Sequence, residues 1–231
     1  MGVRNIVLIG ETGVGKSSIV NSIVGRDVAK PSNDAENLMA RCTMCYSLTF
    51  NSSTHIKVWE TPGLEQGETK PVAVDPALKN IQELLEHLRT SEGVHLLILC
   101  TTAGRARNNL RRAYNAIYKE DCRKKVPIAL VITKLENQYP DMHTWWTVNG
   151  SNLSQTYDLS FHAHACVTTV PHKYFATSTK TLRELVLHDM SAMAPHHDIC
   201  LVSCFLHESE SRPLGTTLQR PQKTYHDPNA T

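Results

Sequence analysis

The order of elements along this 231-residue sequence predicts an α/β fold in which a mostly parallel, six-stranded sheet carries helices on both faces. Three observations lead to that expectation. Val94 to Cys100 and Val126 to Ile132 are unbroken apolar runs of strand length, the pattern of strands buried on both faces. Stretches with helical apolar spacing alternate with such runs, as parallel strands require for their crossovers. A glycine-rich turn joins the first apolar run to a helix-compatible stretch.

Val3 to Ile9 is read as the first strand, ending at Gly10, and Ser17 to Val24 as the first helix. Residues 25–42 hold Gly, Pro, Ser, Asn and Asp with little periodicity and are read as a long exposed loop, a kind of segment that is usually functional in compact domains. Tyr46, Leu48 and Phe50 alternate with polar neighbours, as do Ile56 and Val58 after the turn at Asn51 to Thr54, so an antiparallel hairpin is expected. Asp75 and Pro76 supply a cap and a first helical position before Leu78, Ile81, Leu85 and Leu88 recur at helical spacing. The strand from Val94 follows, then an amphipathic helix through Leu110, Ala113, Tyr114, Ile117 and Tyr118, then the strand from Val126. Beyond Ile132 we expect a short helix at Asp141 to Val148, a loop to His164, a strand at Ala165 to Val170 and a last helix at Lys180 to Met190. Residues 1–190 thus read as one domain and 191–231 as a flexible tail rich in His, Pro, Ser and Thr, with one apolar patch at Ile199 to Leu206.

Lys plus Arg number 24 against 22 for Asp plus Glu, a formal charge of +2, which argues against a protein built to grip a nucleic-acid backbone. A membrane span needs roughly 20 consecutive apolar residues, far more than any run here, so none is expected. The N-terminus lacks a signal-peptide pattern, and Ile6 stands where a myristoylation motif wants Ser or Thr, so a cytoplasmic protein is expected. Seven cysteines, an odd number, do not suggest a disulfide framework. Cys42-Thr-Met-Cys45 has zinc-knuckle spacing, with Cys200, Cys204 and His196-His197 as further donors, but buried small hydrophobes are the better reading of such scattered thiols.

Gly10-Glu-Thr-Gly-Val-Gly-Lys16-Ser17 fits the phosphate-loop pattern and lies between a strand and a helix, where its mechanism requires it. Backbone N–H groups from Gly13, Val14, Gly15, Lys16, Ser17 and Ser18 would curl around phosphates, aided by the helix N-terminus. Lys16 would neutralise the outer phosphates and the Ser17 hydroxyl would ligate magnesium. Trp59-Glu-Thr-Pro-Gly63 follows the third strand, where nucleotide switches place an acidic group near the metal and a glycine N–H near the terminal phosphate. Glu60 stands there in place of the usual Asp, one methylene longer. The strand ending at Ile132 runs into Thr133-Lys-Leu-Glu136, a variant of the Asn-Lys-x-Asp base-recognition motif. A carboxylate at Glu136 would accept from guanine N1–H and the exocyclic amine, with Lys134 over the base and Thr133 as a shorter stand-in for Asn.

Together with Cys42-Thr43 before the second strand and Trp145-Trp146, these motifs resemble the AIG-type G domains over about residues 3 to 190. That group belongs with septins and the Toc receptors among P-loop GTPases, and the likeness is greatest to fungal G-domain proteins. The resemblance implies a Ras-like fold, GTP or GDP with Mg2+, and Thr43 as the switch threonine that closes over metal and terminal phosphate, with Thr49 as a nearby alternative. The last base contact is assigned to Thr168 after the final strand, with Ala176-Thr-Ser-Thr-Lys180 as the competing segment. Lys16, Thr43 and Gly63 form the expected catalytic set, and Ser17, Thr43 and Glu60 the metal set.

Leu64 follows the switch glycine where Ras-type enzymes place a water-orienting Gln, and Gln66 lies two residues on. Slow hydrolysis is expected, accelerated by a G-domain homodimer or a partner; Arg105 and Arg107 are candidate donors to a neighbouring site, although a solvated basic loop is the better reading of that segment. An unidentified effector is implied. A catalytically silent, GTP-bound scaffold is the main alternative, and a P-loop ATPase or kinase the lesser one. Trp145 and Trp146 read as packing residues.

Overall fold

The first strand, β1 (Gly2–Gly10), lies in the middle of the sheet, and Ile6, Val7, Leu8 and Ile9 are fully buried because neighbours cover both of its faces. In the computed structural model, residues 2–29, 43–51, 54–64, 75–104 and 107–188 are described. The other elements are α1 (Lys16–Val24), β2 (Met44–Asn51), β3 (Thr54–Glu60), α2 (Pro76–Arg89), β4 (Leu96–Thr102), α3 (Arg107–Ala113), β5 (Ile128–Thr133), α4 (Thr144–Tyr157), β6 (Ala163–Cys166) and α5 (Phe175–Leu187). The six strands run in the order β2-β3-β1-β4-β5-β6, all parallel except the expected β2–β3 hairpin. The C-terminal ends of β1, β3, β4, β5 and β6 therefore meet at one edge. The chain leaves β1 toward β3 on one side and β4 on the other, and the crevice at such a reversal is where open α/β sheets bind ligands.

Alternation along the strands divides the core into two layers. Val7, Ile9, Leu97, Leu99, Leu130 and Ile132 face α2, α3 and α4, while Ile6, Leu8, Ile98, Ala129 and Val131 face α1 and α5. The start of α2 is as expected: Asp75 Oδ1 accepts from the Ala77 N–H at 2.9 Å, with Pro76 at the first helical position. At the far end of the sheet the Arg4 guanidinium donates to the Leu187 and His188 carbonyls at 2.6 and 2.8 Å, satisfying groups at the end of α5.

Several expectations are corrected. β4 and β5 each begin two residues late, because Val94 and Val126 pack half-buried against the core ahead of the first ladder pair. The helix through Tyr118 is α-helical only to Ala113 and continues as a π-helix (Tyr114–Asp121), which keeps Tyr114, Ile117 and Tyr118 all buried. Tyr114 is edge-on to Phe161 at 5.5 Å, and its hydroxyl donates to the Ser160 carbonyl at 2.9 Å while accepting from the Ser160 N–H at 3.2 Å. Tyr114→Phe removes both bonds and leaves Ser160 without them, so we expect a loss of about 1–2 kcal/mol in urea unfolding with an unchanged m-value.

The short helix expected at Asp141 to Val148 is instead the 14-residue α4, reaching Tyr157. Its buried face is only Trp145, Trp146, Gly150 and Leu153, too sparse a set to show as apolar periodicity. Gly150 has a steric reason, since a Cβ there would lie 2.8 Å from Trp146 Cε2. β6 stops at Cys166 and does not run to Val170: the Val167 N–H makes a last bond to the Ile132 carbonyl at 2.9 Å, and the chain then turns away. α5 begins five residues earlier than expected, at Phe175. The loop at residues 30–42 and the tail at 191–231 lie outside the described residues.

Candidate functional site

β1 delivers the glycine-rich turn to the sheet edge, and its geometry depends on missing side chains. A Cβ on Gly10 would lie 2.5 Å from the Cys100 carbonyl oxygen of β4. Gly13 and Gly15 take φ values of 76° and 95°, the left-handed region that favours glycine. The turn closes into α1 with the Ile19 N–H on the Gly15 carbonyl at 2.9 Å. Lys16, only 7% exposed, curls back so that Nζ donates to the Gly10 and Glu11 carbonyls, both at 2.9 Å. Burial lowers its pKa, partly offset by acidic neighbours including Glu60 and Glu11. The ammonium is thus held at the loop mouth by two neutral oxygens, which an anionic oxygen would outcompete.

Ser17 begins the next turn, and its Oγ donates to Glu60 Oε1 at 2.5 Å. Burial raises the Glu60 carboxyl above its ordinary value, opposed by the Ser17 hydrogen bond and by Lys16. A hydroxyl and a carboxylate converging beside a cationic loop are oxygen donors suited to a hard divalent cation. After Glu60 the chain stays on the loop: the Thr61 hydroxyl donates to the Leu8 carbonyl at 2.7 Å and the Leu64 N–H to the Gly10 carbonyl at 3.1 Å. A Cβ on Gly63 would lie 2.2 Å from Thr12 Oγ1, so only glycine fits this approach. Thr43 directly precedes Met44, which is registered opposite Glu60, and so lies at the same sheet edge. Thr49 pairs with His55 at the far end of the hairpin, which removes it as the alternative.

At the other side of the crevice, Thr133 differs from expectation. It is fully buried, and its hydroxyl donates to the Val14 carbonyl at 2.6 Å, with the Thr101 carbonyl at 3.2 Å as a second acceptor. Its hydroxyl thereby ties the phosphate loop to the ends of β4 and β5. Lys134 is exposed with φ 61°, and Leu135 turns into the core, which leaves Glu136 half-buried at the rim. Thr168 is fully buried, and its hydroxyl donates to Glu136 Oε2 at 3.2 Å. The competing segment at Ala176 to Lys180 lies inside α5, yet Ser178 from it accepts the Thr168 N–H at 3.0 Å.

The sequence model of the AIG1 family matches residues 4–137, more than half of the chain and all of the segments from phosphate loop to Glu136. The chain belongs to the AIG1 family. Immune-associated nucleotide-binding protein 4 of Arabidopsis thaliana is 32% identical over 97 residues, which are 42% of this chain and 28% of that protein. The chain therefore spans less than a third of the length of this curated relative. Among solved structures, Toc33 of Arabidopsis thaliana in complex with GDP and Mg2+ superposes with a TM-score of 0.59 at 18% identity, covering 80% of this chain and 84% of Toc33. A dimerization-deficient mutant of Toc33 gives 0.60 at 17% identity, with 84% and 87% covered. An Era variant of Aquifex aeolicus bound to GDP.AlF4- gives 0.57 at 17% identity, with 86% and 61% covered. The shared architecture is the Ras-like P-loop NTPase fold.

Other features of this AIG1 domain fall outside the crevice. Trp145 and Trp146 are buried, and Trp146 stacks on His164 with ring centroids 3.8 Å apart, a packing role as expected. Cys45, Cys100, Cys122 and Cys166 are free thiols, and no group of three His, Cys, Asp or Glu side chains that could hold a metal occurs among the described residues. Arg105 and Gln66 lie outside the described residues, as does the side chain of Arg107, which opens α3. One contact was not anticipated from sequence: Asn109 Nδ2 donates to Glu11 Oε1 at 2.8 Å, linking the phosphate loop to α3.

Proposed function

We propose that this chain is a guanine-nucleotide-binding switch with slow, magnesium-dependent GTP hydrolysis. The observation that carries the reading is the carboxylate of Glu136, steadied by Thr168 at the rim of the crevice that the phosphate loop opens. An acceptor-only group there suits guanine, which offers N1–H and an exocyclic amine, and repels the N1 acceptor of adenine. Backbone N–H groups of Gly13 to Ser18 hold the phosphates, and Lys16 leaves its two carbonyls to meet them. Ser17, Glu60 and Thr43 would hold a magnesium ion, which would supply positive charge to offset that of the phosphates. Gly63 gives its N–H to the terminal phosphate. The complexes of Toc33 and Era with guanine nucleotide support this assignment at the level of the fold.

Nucleotide identified after gentle purification, followed by competition with GDP and ADP, tests the reading. Guanine nucleotide at one per chain, displaced by GDP and not by ADP, is the expected result; retention of ATP would sink it.

Leu64 favours a second reading. An apolar side chain follows Gly63 and is pinned beside Gly10, so nothing at that position orients an attacking water. A GTP-bound scaffold without turnover then becomes the alternative, and single-turnover phosphate release at high protein concentration separates the two. We retain a G-domain homodimer, supported by the existence of a dimerization-deficient Toc33 mutant, and an effector still to be identified. Within the AIG1 family, kinship with septins and with fungal G-domain proteins is our reading from the sequence motifs, while the relatives named above are plant and bacterial proteins. No helix of the described residues is long and apolar enough to cross a membrane; a cytoplasmic location is part of our proposal.

A further inference from the structure

We infer that Ser178, in the first turn of α5, is a positioning residue for base selection, acting through Thr168 on Glu136. The inference rests on the guanine reading above and adds a determinant from outside its motifs. Ser178 is 1% exposed and sits in a helix that packs against α1 and β6. Its Oγ accepts the Thr168 N–H at 3.0 Å, just where the chain has left the β6 ladder and that N–H has no strand partner. The Thr168 hydroxyl then donates to Glu136 Oε2 at 3.2 Å and accepts from the Val170 N–H at 3.4 Å. One buried hydroxyl thereby fixes a backbone amide, the amide fixes the threonine, and the threonine fixes one oxygen of the half-buried carboxylate.

The consequence is directional. Glu136 Oε2 has one lone pair committed to Thr168, which restrains the plane of the carboxylate and leaves Oε1 and the second Oε2 lone pair available to a base. Accepting guanine N1–H and the exocyclic amine together requires that plane to be held; accepting N1–H alone does not. Hypoxanthine keeps N1–H and lacks the amine, so the ratio of IDP to GDP dissociation constants reads the orientation of Glu136 separately from overall binding. A serine is suited to this place because its oxygen is one bond from Cβ and reaches an adjacent amide, whereas alanine leaves that amide buried and unpaired.

The test is isothermal titration of the full chain with GDP and IDP, each with magnesium, in wild type and in Ser178→Ala, Ser178→Cys, Ser178→Thr and Thr179→Ala. The expected result is a drop of roughly tenfold in the IDP/GDP ratio for Ser178→Ala, the scale of one hydrogen bond to a charged group. Ser178→Cys, close in shape with a weak sulfur acceptor, lowers it less, and this variant carries the test if alanine prevents folding. Ser178→Thr keeps the oxygen and holds the ratio. Thr179→Ala perturbs the same helix turn by removing a buried hydroxyl that makes no hydrogen bond, and also leaves the ratio unchanged. Equal weakening of GDP and IDP in Ser178→Ala, or no change, overturns the relay while leaving the guanine reading intact. A wild-type chain without preference for GDP over IDP likewise overturns the relay, whereas the guanine reading falls only if ADP binds as tightly as GDP.

Discussion

Replacing Lys16 with Ala is expected to weaken GDP and GTP binding by on the order of 100-fold or more, the scale of one to two charge-assisted hydrogen bonds to phosphate. The ammonium is confined by the Gly10 and Glu11 carbonyls and is 7% exposed, so it is already desolvated and held at the loop where a phosphate would sit. Burial lowers its pKa, which means that the free protein bears a cost for holding this charge. Removing the side chain relieves that cost while unpairing two carbonyls, so the apo fold should survive with little change in melting temperature. Lys16→Arg should fail almost as badly, because a planar guanidinium does not fit a site shaped for a compact ammonium. The loss should be equal for GDP and IDP, since Lys16 meets phosphate and never the base. A Lys16→Ala protein that binds GDP within a few-fold of wild type would remove the phosphate loop from the function.

This contrast between a phosphate effect and a base effect follows a division in what the sequence discloses. The phosphate loop is legible because its physics is local: three glycines, a lysine and a serine at fixed spacing after an apolar strand can do little else. The base end is built from residues distant in sequence. Thr133 is legible as a motif position but not in its role, because only the packing of β4, β5 and the loop puts the Val14 and Thr101 carbonyls within reach of a short hydroxyl. Ser178 lay in the segment that competed with Thr168 for the last base contact, and its partner, the Thr168 N–H, emerges only once β6 is seen to stop at Cys166 and α5 to begin at Phe175. The same holds for the fold. Strands buried on both faces announce themselves by apolar runs, with errors of two residues where Val94 and Val126 pack before the ladder begins. α4 does not, since a helix touching the core through Trp145, Trp146, Gly150 and Leu153 leaves its remaining Ser, Thr and Asn positions without a visible period.

Acid should destabilise the domain through His164 before most carboxylates respond. His164 is 2% exposed on β6, its ring stacked on Trp146 at 3.8 Å and parallel to His143 at 5.5 Å, and its Nε2 is buried without a hydrogen-bond partner. Burial first, and then the like charge of His143, drive its pKa from the ordinary 6.5 down to about 3. The folded state therefore refuses a proton that the unfolded chain takes up below the ordinary value. Above that value His164 contributes no pH dependence; below it, stability falls by about 1.4 kcal/mol per pH unit until the folded pKa is reached. Near pH 4.5 the cumulative loss is on the order of a few kcal/mol, a large part of a typical domain's stability. His164→Phe keeps a flat ring against Trp146 and cannot be protonated. Its urea midpoint at neutral pH should equal or exceed that of wild type, and the gap should widen steadily as pH falls through this window. Parallel pH profiles for the two proteins would show that the acid response comes from other groups and that His164 takes up its proton as readily folded as unfolded.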